Sequence, residues 1–171
     1  YLARTGLDQG TFHAVISLLD EWDSDTHTVL PSTVVESAIE VHNRFPDKRQ
    51  IIHFMQPHYP FIGQDRFGER GWLPDSAGDI EGKTVWDLLR EESDPETLDH
   101  VWEAYQGNLE LVINAVEDLL TAIDGKSVIT SDHGNLLGER LGPIPTKQMF
   151  GHPLGVYHPS LVKIPWYVIP G

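Results

Sequence analysis

The chain has 171 residues, which is enough to bury one core, so we predict a single domain over 1–171. Its formal net charge of −14 excludes proteins that bind nucleic acid by neutralising phosphates, and its apolar content of 40% excludes general disorder. The absence of cysteine excludes a disulfide framework, a thiolate nucleophile and thiolate metal ligands. Five lysines face 26 acidic residues, a balance that suits a halophilic protein or an ordinary acidic surface.

The first part of the chain predicts two helices and a strand. After an N-terminal loop, apolar residues at helical spacing indicate a helix over 11–22. A second helix, 32–45, should end near its last residue because Pro46 follows. The apolar run 50–55 has the length of a strand, which indicates a buried strand.

One long helix dominates the middle of the chain. It should begin at a capping box formed by 93–96 and end before Gly125, since apolar residues recur between them at steps of three and four. These residues are Leu98, Trp102, Tyr105, Leu109, Val112, Val116, Leu119 and Ile123. A short helix is predicted over 84–91, and five glycines without a period predict a long loop or lid over 63–82.

The last part of the chain predicts two more strands, 127–130 directly after the long helix and 161–169 after a loop-rich stretch. Because helices and strands alternate, we predict an α/β fold with a mostly parallel sheet flanked by helices. No apolar run reaches the length of a membrane span, so we expect a soluble protein. The compartment does not follow from this, and the cytoplasm is only favoured.

Asp132 and His133 follow the strand predicted at 127–130, and Gly134 follows them. In an open α/β sheet, ligands bind outside the carboxyl ends of the strands, so this pair would lie at the mouth of that crevice. A carboxylate oxygen and a neutral imidazole nitrogen suit a divalent ion, and glycine lets the backbone come close to what is bound. Taken alone, the pattern fits a metal site and a polar turn after a strand equally well.

Three motifs together carry a resemblance to a known family. Residues 130–139 read Thr-Ser-Asp-His-Gly-Asn-Leu-Leu-Gly-Glu, residues 53–61 read His-Phe-Met-Gln-Pro-His-Tyr-Pro-Phe, and Gly151-His152 precedes the apolar stretch 162–169. In order and spacing they resemble the C-terminal portion of the sulfatase and alkaline-phosphatase superfamily, with its T-S-D-H-G-x-x-x-G-E and H-F-x-x-P-H-x-P-[YF] motifs. The resemblance spans about two thirds of the chain and implies an incomplete copy of an alkaline-phosphatase-like fold.

The resemblance implies roles for four residues. Asp132 and His133 would ligate a divalent ion, and His152 would reach a metal from the following loop. His58 would meet the sulfate or phosphate group, as an electrostatic stabiliser or a proton donor to the leaving oxygen. For each histidine the alternative is an ordered turn or loop imidazole. The metal would be Zn, Mn, Mg or Ca, and His133 favours Zn or Mn and phosphatase-like chemistry, since imidazole prefers transition metals to Ca.

Three further residues are weaker site candidates. Lys147 and Arg140 are cations near the predicted site and would balance the charge of an anionic ester, with a solvated loop position as the alternative for each. His158 stands where many sulfatases carry a glutamate, which is a departure from the family pattern.

The resemblance also has a gap. No Ser, Thr or Cys stands in a nucleophile motif such as C/S-x-P-x-R, and no upstream apolar strand ends in aspartate, so no nucleophile is assigned in this chain. Either the chain is the C-terminal part of a longer hydrolase, whose N-terminal segment was cut away or is supplied by a partner, or it is a degenerate relative. We favour the first and expect this segment alone to be a poor catalyst.

The predicted function is metal-dependent hydrolysis of phosphate or sulfate esters, with this chain carrying the C-terminal half of the site. The expected partners are a small or polymeric anionic ester and either the missing N-terminal segment or a second copy of the chain. The alternative is a catalytically inactive acidic binding or scaffold domain that kept the fold.

Overall fold

The computed structural model describes residues 9–63, 84–91, 94–142 and 147–171. These ranges contain two single turns of 3-10 helix, Gln9–Thr11 and Leu19–Glu21. The helices are α1 (Pro31–Arg44), α2 (Val85–Glu91), α3 (Pro95–Ala122) and α4 (Pro159–Val162). The strands are β1 (Ser127–Thr130), β2 (Leu136–Glu139), β3 (Met149–Gly151) and β4 (Trp166–Ile169). The loop or lid predicted over 63–82 lies outside the described residues apart from Gly63, and so does Ser93 of the predicted capping box.

The strands of the described ranges pair in two antiparallel ribbons, β1 with β4 and β2 with β3. Ser127 lies opposite Ile169 in the first ribbon, and Leu136 lies opposite Gly151 in the second. The prediction of a mostly parallel sheet flanked by helices is therefore wrong. The chain returns to each partner strand in the reverse direction, and the apolar pattern of a strand does not encode the direction of its partner.

The segment predicted as a buried strand, 50–55, is not a strand in the structure. Its side chains alternate: Ile52 and Phe54 contact a helical core, whereas Ile51 is 88% exposed and His53 is exposed. One side of the segment thus packs against helices. The segment does not form the backbone hydrogen bonds to a neighbouring strand that would make it a strand.

The helix predicted over 11–22 is also wrong. The structure has a single 3-10 turn there, at Leu19–Glu21, and Val15 and Ile16 are about half exposed. An isolated helix of this length is marginal in water unless its apolar face is buried against another element. Apolar spacing alone therefore overpredicts helix in this segment.

The other three predicted helices are confirmed. The helix predicted to end near Phe45 is α1, and the helix predicted over 84–91 is α2. The long helix is α3, which begins at the cap Asp94. The Asp94 carboxylate accepts hydrogen bonds from the amides of Glu96 and Thr97 at 3.1 and 3.0 Å.

Two hydrophobic cores lie along α3. The first joins its N-terminal half to α2, β3 and the segment around Phe61; its buried members are Tyr59, Phe61, Val85, Trp86, Leu89, Val101, Ala104 and Phe150. The second joins its C-terminal half to α1; its buried members are Val35, Ala38 and Leu119. The buried face of α3 passes through Val101 and Asn108, so Trp102 and Leu109, predicted on the apolar face, are exposed.

The last predicted strand, 161–169, is divided in the structure. Leu161 is buried in α4, and the strand begins only at Trp166. Trp166 and Tyr167 are 69% and 65% exposed, and successive residues of a strand face opposite sides. The β1–β4 ribbon therefore exposes large side chains on both faces.

Among the residues with described structure, no helix has the length and hydrophobicity of a bilayer span.

Candidate functional site

Four of the predicted site residues, from three separate parts of the chain, meet in the folded protein. The ring centroids of His133 and His152 lie 4.4 Å apart, and those of His58 and His152 lie 5.8 Å apart. Oδ2 of Asp132 lies 3.6 Å from Nε2 of His133. The expected convergence of these side chains is confirmed, and we call Asp132, His133, His152 and His58 the histidine cluster.

The two ribbons place three members of the cluster. Asp132 and His133 lie just after β1, and His152 lies directly after β3. Asn135 precedes β2 and lies beside His152, because β2 and β3 are antiparallel and their paired ends meet there. His58 comes from the turn that leads into the first core, and its side chain is half-buried.

Each imidazole of the cluster uses Nδ1 for a hydrogen bond to an oxygen that can only accept. Nδ1 of His133 lies 2.9 Å from the carbonyl oxygen of the next residue, and Nδ1 of His58 bonds to the corresponding carbonyl oxygen. Nδ1 of His152 lies 3.0 Å from the side-chain oxygen Oδ1 of Asn135. In all three rings Nδ1 therefore carries the proton, and Nε2 of the neutral ring has the lone pair.

The surroundings favour the neutral form of two of these rings. Loss of solvent is the main cause that lowers the pKa of His58, and the His133 ring lowers this pKa further. The hydrogen bond to Tyr59 and the Asp132 carboxylate act in the opposite direction. Loss of solvent also lowers the pKa of His152, although part of its side chain is exposed, and His133 and His58 add to that shift. Neutral imidazole is the form that binds a metal.

The donor set of the cluster suits a transition-metal ion. Two ligand atoms bound at about 2.1 Å to a tetrahedral ion lie roughly 3.4 Å apart, and the rings of two such imidazoles lie roughly 5 Å apart. The distance of 3.6 Å from Asp132 to His133 and the ring separations of 4.4 and 5.8 Å are close to these values. Within the described ranges, no group of three or more His, Asp or Glu side chains is arranged to hold an ion as it stands. Ligation by more than two of these residues therefore requires side-chain rotation.

Gly134, next to His133, is in close contact with the backbone of α4. Its amide donates to the carbonyl oxygen of Leu161 at 2.9 Å, and a Cβ added to Gly134 would lie 2.0 Å from the carbonyl oxygen of Ser160. Gly134 was expected to let the backbone come close to a bound ligand. In the structure it instead lets the backbone come close to α4. This contact holds the backbone on the C-terminal side of His133.

His158, a weaker site candidate, is the N-cap of α4. Its Nδ1 accepts a hydrogen bond from the amide of Ser160 at 3.2 Å. Nδ1 of this ring therefore lacks a proton, in contrast to the rings of the histidine cluster. This hydrogen bond stabilises the start of α4, the helix that packs against Gly134.

The structure does not bring Arg140 and Lys147 to the cluster. Both side chains are exposed, and both lie beyond the end of the β2–β3 ribbon where Glu139 pairs with Met149. His152 lies at the other end of this ribbon, so about 10 Å of strand separates it from the two cations.

Two asparagines that the sequence patterns do not single out take part in the site. Asn135 accepts the hydrogen bond from His152, and the buried Asn108 of α3 bonds to the backbone of the turn that carries His58. Asn108 interrupts an apolar face of a helix, and a polar group buried there needs hydrogen-bond partners. This position could have identified Asn108 as a candidate from the sequence. No spacing rule marks Asn135.

No family model matches the chain, and neither a curated protein nor a solved structure matches it.

Proposed function

We propose that the histidine cluster is the metal-binding part of a hydrolase of phosphate or sulfate esters, and that this chain carries the C-terminal half of its active site. The observation that supports this most is the shared use of Nδ1, since three rings from separate segments each donate from Nδ1 to an oxygen. Metal-binding histidines in proteins are oriented in this way, with the second ring nitrogen left for the ion. The three motifs that resemble the sulfatase and alkaline-phosphatase superfamily support the same proposal.

Asp132 and His133 are the primary ligands in this proposal, because their donor atoms already have the spacing of two ligands of one ion. His152 is the third, since its ring lies against His133. His58 contacts the anionic oxygens of the ester or its leaving group. A bound Zn or Mn ion would lower the pKa of an attacking hydroxyl and neutralise charge on the transferring group.

The proposal assigns the nucleophile to a segment outside this sequence, because no hydroxyl of the chain stands in the family's nucleophile motif. The substrate is a small or polymeric anionic ester. Phosphate esters are favoured over sulfate esters, since imidazole ligands suit transition metals better than Ca.

Calorimetric titration with Zn and Mn tests the metal site. We expect the wild type to bind these ions, and Asp132→Ala and His133→Ala to bind them at least about tenfold more weakly, since each variant removes a ligand. His13→Ala is the matched control, because His13 lies edge-on against Phe45 at the end of α1, and its affinity should equal that of the wild type. Equal, negligible binding by the wild type and Asp132→Ala would contradict the proposal.

Activity is tested on the product of the complete gene, with aryl phosphate, phosphodiester and aryl sulfate substrates and several divalent ions. We expect hydrolysis of one of these classes that depends on the added ion and is lost in Asp132→Ala. Hydrolysis that is unchanged in that variant would contradict the role given to this chain.

A non-catalytic acidic binding or scaffold domain is the second candidate. In its favour, the described side chains do not form a ready group of three ligands, and the chain carries no nucleophile motif. A folded wild type that binds neither Zn nor Mn would select this candidate.

A further inference from the structure

Asn108 is a fully buried polar residue in the middle of α3. Both ends of its side-chain amide bind one short turn of the chain. Oδ1 accepts from the amide of Ile62 at 2.8 Å, and Nδ2 donates to the carbonyl oxygens of His58 and Pro60, each at 3.1 Å. A primary amide has two N–H donors, so these contacts use both of them.

We propose that Asn108 is a positioning residue for His58: it holds the turn 58–62 on α3 and so determines where the His58 ring lies in the histidine cluster. One of its three hydrogen bonds is made to the carbonyl of His58 itself. The position of the ring is a property of the metal-free protein. The position of the ring can therefore be tested without the proposed function. Only the chemical role of His58 in the cluster rests on that proposal.

The turn lies directly on the backbone of α3. A Cβ added to Gly63 would lie 3.0 Å from the carbonyl carbon of Gly107, the residue before Asn108. On the other side of His58, the buried Gln56 donates to the carbonyl oxygen of Val29 at 3.2 Å. Two buried side-chain amides thus hold the chain on either side of the His58 ring.

An ordinary core position does not explain an asparagine here. The buried neighbours of Asn108 on this face of α3 include Val101, Ala104 and Val112, so a leucine of similar size would suit the helix. Leucine would leave the amide of Ile62 and two carbonyl groups without their present partner, and unpaired buried polar groups are costly. The polar side chain is therefore matched to the turn.

Amide hydrogen exchange and ¹⁵N NMR of the histidine rings, both on the metal-free protein, test the inference. In the wild type, the Ile62 amide should exchange as slowly as the amides of α3, because its acceptor is buried. In Asn108→Ala, exchange of Ile62 should accelerate at least about tenfold relative to those helix amides. The ring signals of His58 should shift, and those of His133 should not.

Asn108→Asp separates the two ends of the amide. Its carboxyl retains an acceptor for Ile62 but loses the N–H donors to His58 and Pro60. We therefore expect Ile62 to stay protected while the His58 ring signals shift. This split between two readouts is not expected from a general loss of stability.

Leu119→Ala is the matched control for stability, since Leu119 lies on the same helix in the second core. It should accelerate exchange of Ile62 and of the α3 amides in the same proportion and leave the His58 ring signals in place. A fast Ile62 amide in the wild type, or wild-type His58 signals in Asn108→Ala, would overturn the inference. The wild-type exchange measurement decides even where a variant fails to fold. Failure of Zn to bind the wild type would count against the proposed function alone.

Discussion

Several residues shape the site through the backbone that they hold. Gly134 has no side chain, so the backbone of α4 can pack directly against the chain beside His133. Asn108 binds the turn that carries His58. The motif around Asp132 could predict which residues carry chemistry, because their side-chain types are visible in the sequence. It could not predict Asn108 or α4 as their support, because these partners lie far away along the chain.

At Gly134, substitution by alanine should destabilise the folded protein. The added methyl group would lie 2.0 Å from the carbonyl oxygen of Ser160, so α4 has to move away. We expect the free energy of unfolding to fall by about 1–3 kcal/mol, the usual cost of overpacking. Urea denaturation followed by circular dichroism measures this change.

Gly107→Ala is the matched control for this prediction. A Cβ at Gly107, inside α3, has no neighbour within 4 Å. Alanine should therefore raise the free energy of unfolding by about 0.5–1 kcal/mol through its better helix propensity. If Gly134→Ala were as stable as the wild type, the close contact between Gly134 and α4 would be disproved.

Helices and strands differ in how much of their formation is local. The cap Asp94 and the proline after Phe45 mark helix ends within a few residues, so α1, α2 and α3 could be predicted from the sequence. The partner of β1 is β4, which begins more than thirty residues later, and no local pattern states whether it will run parallel or antiparallel. That is why the strand at 127–130 is confirmed while the parallel sheet is wrong.

The buried face of α3 was predicted only in part: Val112 and Leu119 are buried as predicted, whereas Trp102 and Leu109 are exposed. Apolar residues occur on more than one side of this helix, so spacing alone allows a face through Trp102 and Leu109. The structure instead buries Val101 and Asn108. The asparagine is the polar member of an otherwise apolar buried face, and its partners in the turn 58–62 cannot be seen in the helix sequence.

Leu119→Ala and Leu109→Ala form a matched pair that tests which face of α3 is buried. Leu119 is 4% exposed in the second core, whereas Leu109 is 38% exposed. We expect the first substitution to lower the free energy of unfolding by about 2–5 kcal/mol, and the second to change it by about 0.5 kcal/mol or less. Equal losses in urea denaturation would favour the face predicted from the sequence and contradict the structure.

In the whole molecule, α3 joins two cores, and the histidine cluster forms where two ribbons and one turn meet. The motifs could predict that residues 58, 132, 133 and 152 converge, and they do so without the parallel sheet that the prediction assumed. Antiparallel ribbons can also bring distant segments together, so convergence does not identify a topology. The orientation of the rings depends on three separate oxygen acceptors and could not be predicted from the sequence.

Histidine ¹⁵N NMR during a titration of the metal-free protein with Zn tests the metal site most directly. Before Zn is added, we predict that His58, His133 and His152 carry their proton on Nδ1, as their hydrogen bonds require. As Zn binds, the Nε2 signals of His133 and His152 should shift, while His13 stays unchanged. Rings protonated on Nε2 in the metal-free protein, or a titration that leaves His133 and His152 unchanged, would contradict a metal site in the histidine cluster.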